Sequence, residues 1–496
     1  MRILKIILIP ICVIFLNACS LQKTTFNILQ INDVYEIAPL EGGKVGGLAR
    51  VAQIRQSLLQ KNPNTITVLA GDFISPSLLG TLSDETGTKI RGKQMIETLN
   101  ALGLDYATFG NHEFDIDSVS LQKRLNESTF TWLTSNVRRS GGRFFSKIYQ
   151  GKIETFPTYI IREIKHQNKT LKIGIFAVTI PFNKQEYVEY LDITQTTEQM
   201  ITFLKDKCDV LIALTHQDIA EDLKLAEKFP DIHFVIGGHD HTNMKYKVGN
   251  TFITKADANA KTVYIHKIRY DWKSKKVKIS PKLKRINDNI AFEPKTEAVV
   301  QKWLNFAYKN LESLGYNPKE VIYDTKERLD GHESSVRNKE TNLTRLIVEA
   351  VNQAFPMADG VILNSGSIRV DDVLTGKITQ EDILRTMPFG DGIVLVKVKG
   401  DMLLKTLEIG RELNKGTGGF LQIGKIAKVN SIWQIQGKPI DNQKIYTIAT
   451  SLFFSQGKEK NLDFFNFPDA EKPEKVNGIK NDVRDIVIDF LRKKKN

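Results

Sequence analysis

Apolar residues along this chain recur in two rhythms. Short runs rich in β-branched and aromatic residues are bounded by Gly or polar residues: "FNILQI" (26–31), "TITVLAG" (65–71), "LDYATFG" (104–110), "DVLIALT" (209–215) and "IHFVIGG" (232–238). They predict buried strands. Between them, apolar positions fall three and four residues apart, as in "LARVAQIRQSLLQK" before the second run and "EDLKLAEKF" before the fifth. That spacing predicts helices. Strands alternating with helices predict an α/β fold, whose sites gather at the carboxyl ends of the strands.

Each run ends in chemistry. The first is followed by Asn32-Asp33-Val34-Tyr35 and the second by Asp72. The third meets Asn111-His112-Glu113-Phe114-Asp115, the fourth His216, and the fifth His239-Asp240-His241. A single His in a loop is ordinarily structural, but five such endings in order point to a metal centre. Mixed imidazole and carboxylate donors suit zinc, manganese or iron, where an all-oxygen set would suggest magnesium or calcium. So many donors exceed one tetrahedral ion and suit two ions sharing a carboxylate.

Length and charge refine the picture. At 496 residues the chain needs more than one core. Its net charge of +13 fits either an anionic substrate or Lys-rich solvated faces. No basic block with interleaved aromatics is present, which disfavours nucleic-acid polymers as partners. Arg2 and Lys5 precede "IILIPICVIFL", too short an apolar run to span a bilayer, so residues 1–18 read as a signal peptide. Leu16-Asn17-Ala18-Cys19 resembles a bacterial lipobox, which makes Cys19 the lipidated mature N-terminus. Cys208 then remains as a buried, inert thiol without a disulfide partner.

Taken together, "GDFISPS", "GNHEFD", "LTHQD" and "GGHDHT" resemble the calcineurin-like metallophosphoesterases, and the bacterial 5′-nucleotidase family in particular. "SSVRNKETNLTRLIVEAV", "ILNSGSIR", "ITQEDILRTMPFG" and "GGFLQI" resemble that family's C-terminal domain. The resemblance implies a four-layer β-sandwich flanked by helices over residues 19–290. It further implies a linker helix within 291–318 and a smaller α/β substrate-binding domain over 319–496. One metal would be held by Asp33, Asp72 and His241, the other by Asp72, Asn111, His216 and His239. His112, oriented by Asp115, would stabilise charge on the phosphoryl group. The family's first motif is Asp-x-His, but here Tyr35 stands at the His position. Either Tyr35 ligates and shifts metal preference, or it only fills space.

In the C-terminal half, the resemblance makes Arg337 and Arg369 anion-binding residues and Phe389 and Phe453 the walls of a nucleobase clamp. Phe454 is the alternative if the register slips by one. Asp391 and Glu459 match polar positions beside base and ribose, and Glu333 replaces a family Arg. The implied activity is dimetal hydrolysis of nucleoside 5′-monophosphates by a lipid-anchored, monomeric enzyme at the cell envelope, periplasmic or outer-membrane in a Gram-negative cell. Alternatives are a 2′,3′-cyclic nucleotide phosphodiesterase, a nucleotide-sugar pyrophosphatase, a sulfur-ester hydrolase, and a nucleoside-binding lipoprotein without catalysis.

Overall fold

A computed structural model describes residues 23–182, 185–470 and 472–495; Cys19 lies outside the described residues. The chain forms two compact units, Met1–Pro76 with Ile90–Leu304, and Ser77–Lys89 with Asn305–Asn496. The division falls inside the helix Pro294–Ser313, within the stretch expected to link two domains. Ser77–Lys89 joins the C-terminal unit, a placement that no sequence signal announces.

The first unit is built on two six-stranded sheets. In one, Lys23–Ile31 lies between Thr262–Asp271 and Thr65–Ala70, and the parallel run continues through Tyr106–Thr108 to Thr131–Trp132. In the other, Lys169–Thr179, Val210–His216, Phe234–Gly238 and Thr251–Lys255 run parallel. Alternate residues of both sheets meet in one core: Phe26, Ile28, Ile66 and Val68 from the first, Ile173, Ile175, Ile212, Leu214, Phe234 and Ile236 from the second. The period-2 rule continues this inner face to Gln30 and His216 at the strand ends.

The far face of the second sheet, with Phe176, Val178, Ala213 and Val235, is covered by helices Ile193–Leu204 and Ile219–Lys228. On the first sheet the helix Leu48–Lys61 packs against Thr65–Ala70 and against the helix Lys93–Leu102, which meets Ser118–Glu127. The unit is therefore a four-layer α/β/β/α sandwich. Between the sheets sits a small polar network. Gln30 donates to the carbonyls of Gly237 (3.1 Å) and Thr254 (2.9 Å) and accepts from Thr254 Oγ1 (2.7 Å). Its Oε1 also meets His266 Nε2 at 2.9 Å. Burial holds the His266 imidazole down at about 3, so it is neutral.

The second unit has a four-stranded sheet in the order Ile393–Lys399, Ile445–Ser451, Gly360–Asn364, Leu421–Gly424. Its core includes Val394, Val396, Val398, Leu403, Leu407, Ile448, Phe454 and Phe465. The helix Asn342–Ala354 starts at Thr341, whose side chain accepts from the Thr344 N–H while Thr344 Oγ1 accepts from the Thr341 N–H. Two N–H groups that a helix start leaves unpaired are thereby satisfied. No helix among the described residues is long and apolar enough to cross a membrane.

Candidate active site

The candidate ligands of the first unit all follow the strands of the two sheets at their carboxyl ends. Asp33 follows Lys23–Ile31, Asp72 follows Thr65–Ala70, and Asn111 follows Tyr106–Thr108. His216 ends Val210–His216, and His239 and His241 follow Phe234–Gly238. Four of them turn sharply: φ is +52° at Asp33, +59° at Asp72, +86° at His239 and +59° at His241. Left-handed backbone is unfavourable for such side chains, and it persists where surrounding structure enforces it, often at sites. Two glycines make room. A Cβ at Gly71 would lie 2.5 Å from His216 Nδ1, and one at Gly110 would overlap Asp72.

The side chains converge as two groups that share Asp72. Asp72, His216 and His239 offer donor atoms within 4.8 Å of one another, and so do Asp33, Asp72 and His241. His216 Nε2 is 3.1 Å from Asp72 Oδ2 and 3.3 Å from Asn111 Oδ1. His216 Nδ1 lies 2.8 Å from the Ala70 carbonyl, which fixes the ring and aims Nε2 at the carboxylate. His241 Nε2 is 3.6 Å from Asp33 Oδ1. The Tyr35 hydroxyl lies 3.1 Å from His241 Nε2 and 3.2 Å from Asp72 Oδ2, at the edge of the Asp33 group.

The electrostatics are those of a buried charge cluster. Burial pushes the Asp33 carboxyl up, against the pull of His241 and His216. At Asp72 the same desolvation is outweighed by His216 and His112, which hold its carboxyl well below the usual range. Desolvation would lower the His216 imidazole, but Asp72 raises it to about 9. His239 falls well below its ordinary value through burial and the nearby His216 charge. Buried carboxylates facing imidazole nitrogens form a donor set that fits divalent cations, which would supply the missing positive charge.

His112 stands beside this cluster. Its Nδ1 is 2.7 Å from Asp115 Oδ2, its N–H donates to Asp72 Oδ1 at 2.8 Å, and its ring meets Tyr35 edge-on at 6.0 Å.

Two supporting residues had no role in the sequence reading. Glu113, fully buried, accepts the N–H groups of Gly110 (2.5 Å), Asp72 (3.0 Å), Phe73 (2.7 Å) and Ile74 (3.1 Å). It clamps the Asp72 turn to the Asn111 turn, and burial next to Asp72 raises its carboxyl to about 7. Lys255, also fully buried, donates to the carbonyls of Gln217 (2.5 Å) and Gly238 (2.8 Å) and to the Asp240 carboxylate. Asp222 lies 3.0 Å from the same ammonium, and the two carboxylates outweigh desolvation to raise its pKa. Lys255 thereby ties together the chain after His216 and the chain around His239. A lone Lys ending the apolar strand Thr251–Lys255 was the available signal.

In the second unit the two Phe side chains are presented differently from their neighbours. Phe389 is 52% exposed and Phe453 is 42% exposed, whereas Phe454 is 0% exposed and packs on Phe465. Asp391 binds the backbone on the Phe453 side: Oδ2 accepts from the Phe453 N–H (2.7 Å) and Oδ1 from the Gly392 N–H (2.8 Å). Its oxygens hold backbone, so it fixes the chain at Phe453. Arg369 lies with its guanidinium carbon 5.9 Å from the Phe389 ring centroid, and its Nε donates to the Gly366 carbonyl at 2.7 Å. Glu459 accepts from Asn364 Nδ2 at 2.8 Å; burial raises its carboxyl, against the pull of Asn364, Arg369 and Arg337. Cys208 is only partly buried, short of the burial expected of it; it donates to the Leu204 carbonyl at 3.3 Å, and desolvation pushes its thiol up to about 11, which keeps it protonated.

Comparison with known proteins gives two family matches. Residues 26–243 match the family described as calcineurin-like phosphoesterase, and residues 321–466 match the 5′-nucleotidase C-terminal domain. The 5′-nucleotidase of Bos taurus is 28% identical over 435 residues, covering 78% of this chain and 70% of that protein. The 5′-nucleotidase of Homo sapiens is 26% identical over 446 residues, covering 80% and 71%. The crystal structure of a 5′-nucleotidase precursor from Thermus thermophilus superposes with a TM-score of 0.73 at 20% identity, covering 95% of this chain and 97% of that one.

Proposed function

The chain belongs to the calcineurin-like phosphoesterases that carry a 5′-nucleotidase C-terminal domain, and we propose that it hydrolyses nucleoside 5′-monophosphates to nucleoside and inorganic phosphate. The observation that carries this reading is Asp72, shared by two groups of donors at the joined ends of two sheets, with His112 alongside. Two divalent ions, zinc, manganese or iron, would be held by Asp33, Tyr35, Asp72 and His241 on one side and Asp72, Asn111, His216 and His239 on the other. When bound, such ions polarise phosphoryl oxygens and acidify water.

The chain's own residues do the rest. The Asp115 carboxylate accepts from Nδ1–H of His112 and favours the imidazolium form, in which Nε2, on the opposite side of the ring, also carries a proton and donates to a phosphoryl oxygen. A donor fixed in place before reaction stabilises charge that grows in the transition state. Glu113 and Lys255 keep the ligand-bearing turns from relaxing. Phe389 and Phe453 stack the base, a mode tolerant of base identity because every base has a π-face. Arg337 and Arg369 face the anionic end of the substrate.

The same reading puts the enzyme at the cell envelope through a lipid on Cys19, supported by the basic start, the short apolar run and the Cys that follows them. Scavenging of nucleotides outside the cytoplasm suits this, since charged phosphates cross membranes poorly. The decisive experiment is AMP hydrolysis by protein stripped with a chelator and reloaded with manganese. Activity lost on stripping and recovered on reloading is expected. Turnover that survives chelation would refute the mechanism. Membrane fractionation of wild type and Cys19→Ala tests the anchor.

A further inference from the structure

The metal-ligand candidates occupy one end of the two sheets of the first unit, and the opposite end has a character of its own. Strand Lys23–Ile31 climbs from Lys23 toward the turn that bears Asp33, about 30 Å at the usual rise per residue. At its foot the two sheets meet through side chains. Lys23 Nζ lies 3.8 Å from Asp271 Oδ2, and Trp272 Nε1 donates to Thr24 Oγ1 at 2.8 Å. The Lys169 ammonium, at the start of Lys169–Thr179 in the second sheet, lies 5.2 Å from the Trp272 ring centroid. The Tyr270 hydroxyl donates to Asp209, just before Val210–His216, at 3.3 Å. The hairpin turns at 271–276 and 166–169 and the connection 205–209 therefore share this end. Their exposed lysines are Lys169, Lys205, Lys207, Lys273, Lys275 and Lys276, with Asp206 exposed among them. Asp209 and Asp271 are half-buried and engaged with backbone: Asp209 accepts the Lys172 N–H at 2.9 Å, and Asp271 those of Lys273 and Ser274, both at 3.0 Å. Positive charge is in excess here, far from any phosphoryl group at the metal-ligand end. Cys19 stands four residues before Lys23, a reach of at most about 14 Å with the chain fully extended.

We propose that this lysine-rich end of the first unit docks on a membrane surface of anionic phospholipid head groups and holds the metal-ligand end on the side away from the bilayer. The partner follows from the chemistry. Each Lys near an anionic lipid surface strengthens binding about fivefold. Trp272, partly buried against the core, adds an indole, a ring that settles at head-group level. A chain that leaves the fold at Lys23 and is lipidated at Cys19 brings this end, and not the donor cluster, to the bilayer. The proposal rests on the anchor reading above for how the membrane is reached: the lipid supplies attachment, and the lysines decide which end faces the surface.

The test uses the mature chain from residue 19, made without the signal peptide and so without lipid, sedimented with vesicles of phosphatidylcholine alone or mixed with phosphatidylglycerol. Wild type is expected to bind only the mixed vesicles and to be released by high salt. Joint replacement Lys169→Gln, Lys273→Gln, Lys275→Gln and Lys276→Gln should weaken that binding about 10²-fold, with melting temperature and AMP hydrolysis unchanged. The same change at exposed lysines of the second unit, Lys326, Lys377, Lys438 and Lys444, should leave binding in place. Equal loss in the two variants, or wild type that treats both kinds of vesicle alike, would overturn the proposal. Wild type that binds heparin and no vesicle would also overturn it, by making the partner a soluble polyanion. Membrane fractionation reads the anchor separately. Vesicle binding of this kind by a protein found to carry no lipid on Cys19 supports the surface and refutes the anchor, whereas an anchored protein indifferent to phosphatidylglycerol refutes the surface alone.

Discussion

The Tyr35 hydroxyl stands 3.2 Å from Asp72 Oδ2, the carboxylate that belongs to both donor groups. It is also 3.1 Å from His241 Nε2, so an ion held by the Asp33 group would have this hydroxyl within reach. Tyr35→Phe keeps the buried ring and removes only the oxygen. It is expected to weaken one of two bound ions by about tenfold or more while sparing the other, and Tyr35→His to restore it. Metal titration monitored by calorimetry checks this. Equal affinity in wild type and Tyr35→Phe would show that the hydroxyl is not a ligand.

In the proposed mechanism Asp115 acts only through His112, with 2.7 Å between Oδ2 and Nδ1. Asp115→Asn is expected to lower kcat by roughly 10²-fold with little change in KM. Because the two residues act as one unit, His112→Asn and the double variant should lose about the same amount. Additive losses in steady-state kinetics would separate their roles.

Phe453 and Phe454 are neighbours in sequence with opposite environments. Phe453→Ala and Phe389→Ala should each weaken nucleotide binding by about 1–3 kcal/mol, read as raised KM with the melting temperature held. Phe454→Ala should do the reverse, lowering stability by about 3–5 kcal/mol through the cavity it leaves against Phe465. A melting curve and a KM for each variant distinguish these outcomes.

His266 is buried between the sheets and held near pKa 3, against about 6.5 in an unfolded chain. Between those values the unfolded chain takes up a proton that the folded chain refuses, so stability falls as pH drops from 6.5 toward 3. The slope from this group is about 1.4 kcal/mol per pH unit, or about 2 kcal/mol between pH 6.5 and 5. Denaturant unfolding at pH 7 and pH 5 should show wild type losing about 2 kcal/mol more than His266→Phe. Equal losses would mean that the native imidazole already carries charge.

Much of the site was legible because strand runs announce themselves. An apolar run that stops at Asp72 or His216 says both that a buried strand is ending and that a polar group stands at its carboxyl end. Helix Leu48–Lys61 has the bounds its apolar spacing implies. Glu113 escaped notice because its partners are backbone N–H groups, which have no residue signature. Lys255 escaped because its partners at 217, 222, 238 and 240 meet it only when two loops and a helix close around one strand end.

Periodicity and residue type by themselves determined that this chain forms layered α/β structure with imidazoles and carboxylates at strand ends. Those properties are local, set by which side chains can be buried and where a run stops. Tertiary structure brought Asp72 within reach of both donor groups that the resemblance implied, and it alone decided that Phe453 and not Phe454 is exposed, that Glu333 pairs with Arg337, and that Ser77–Lys89 joins the second unit. Each of these is a relation between atoms distant along the chain or a choice between equivalent neighbours, and only packing in three dimensions breaks that degeneracy.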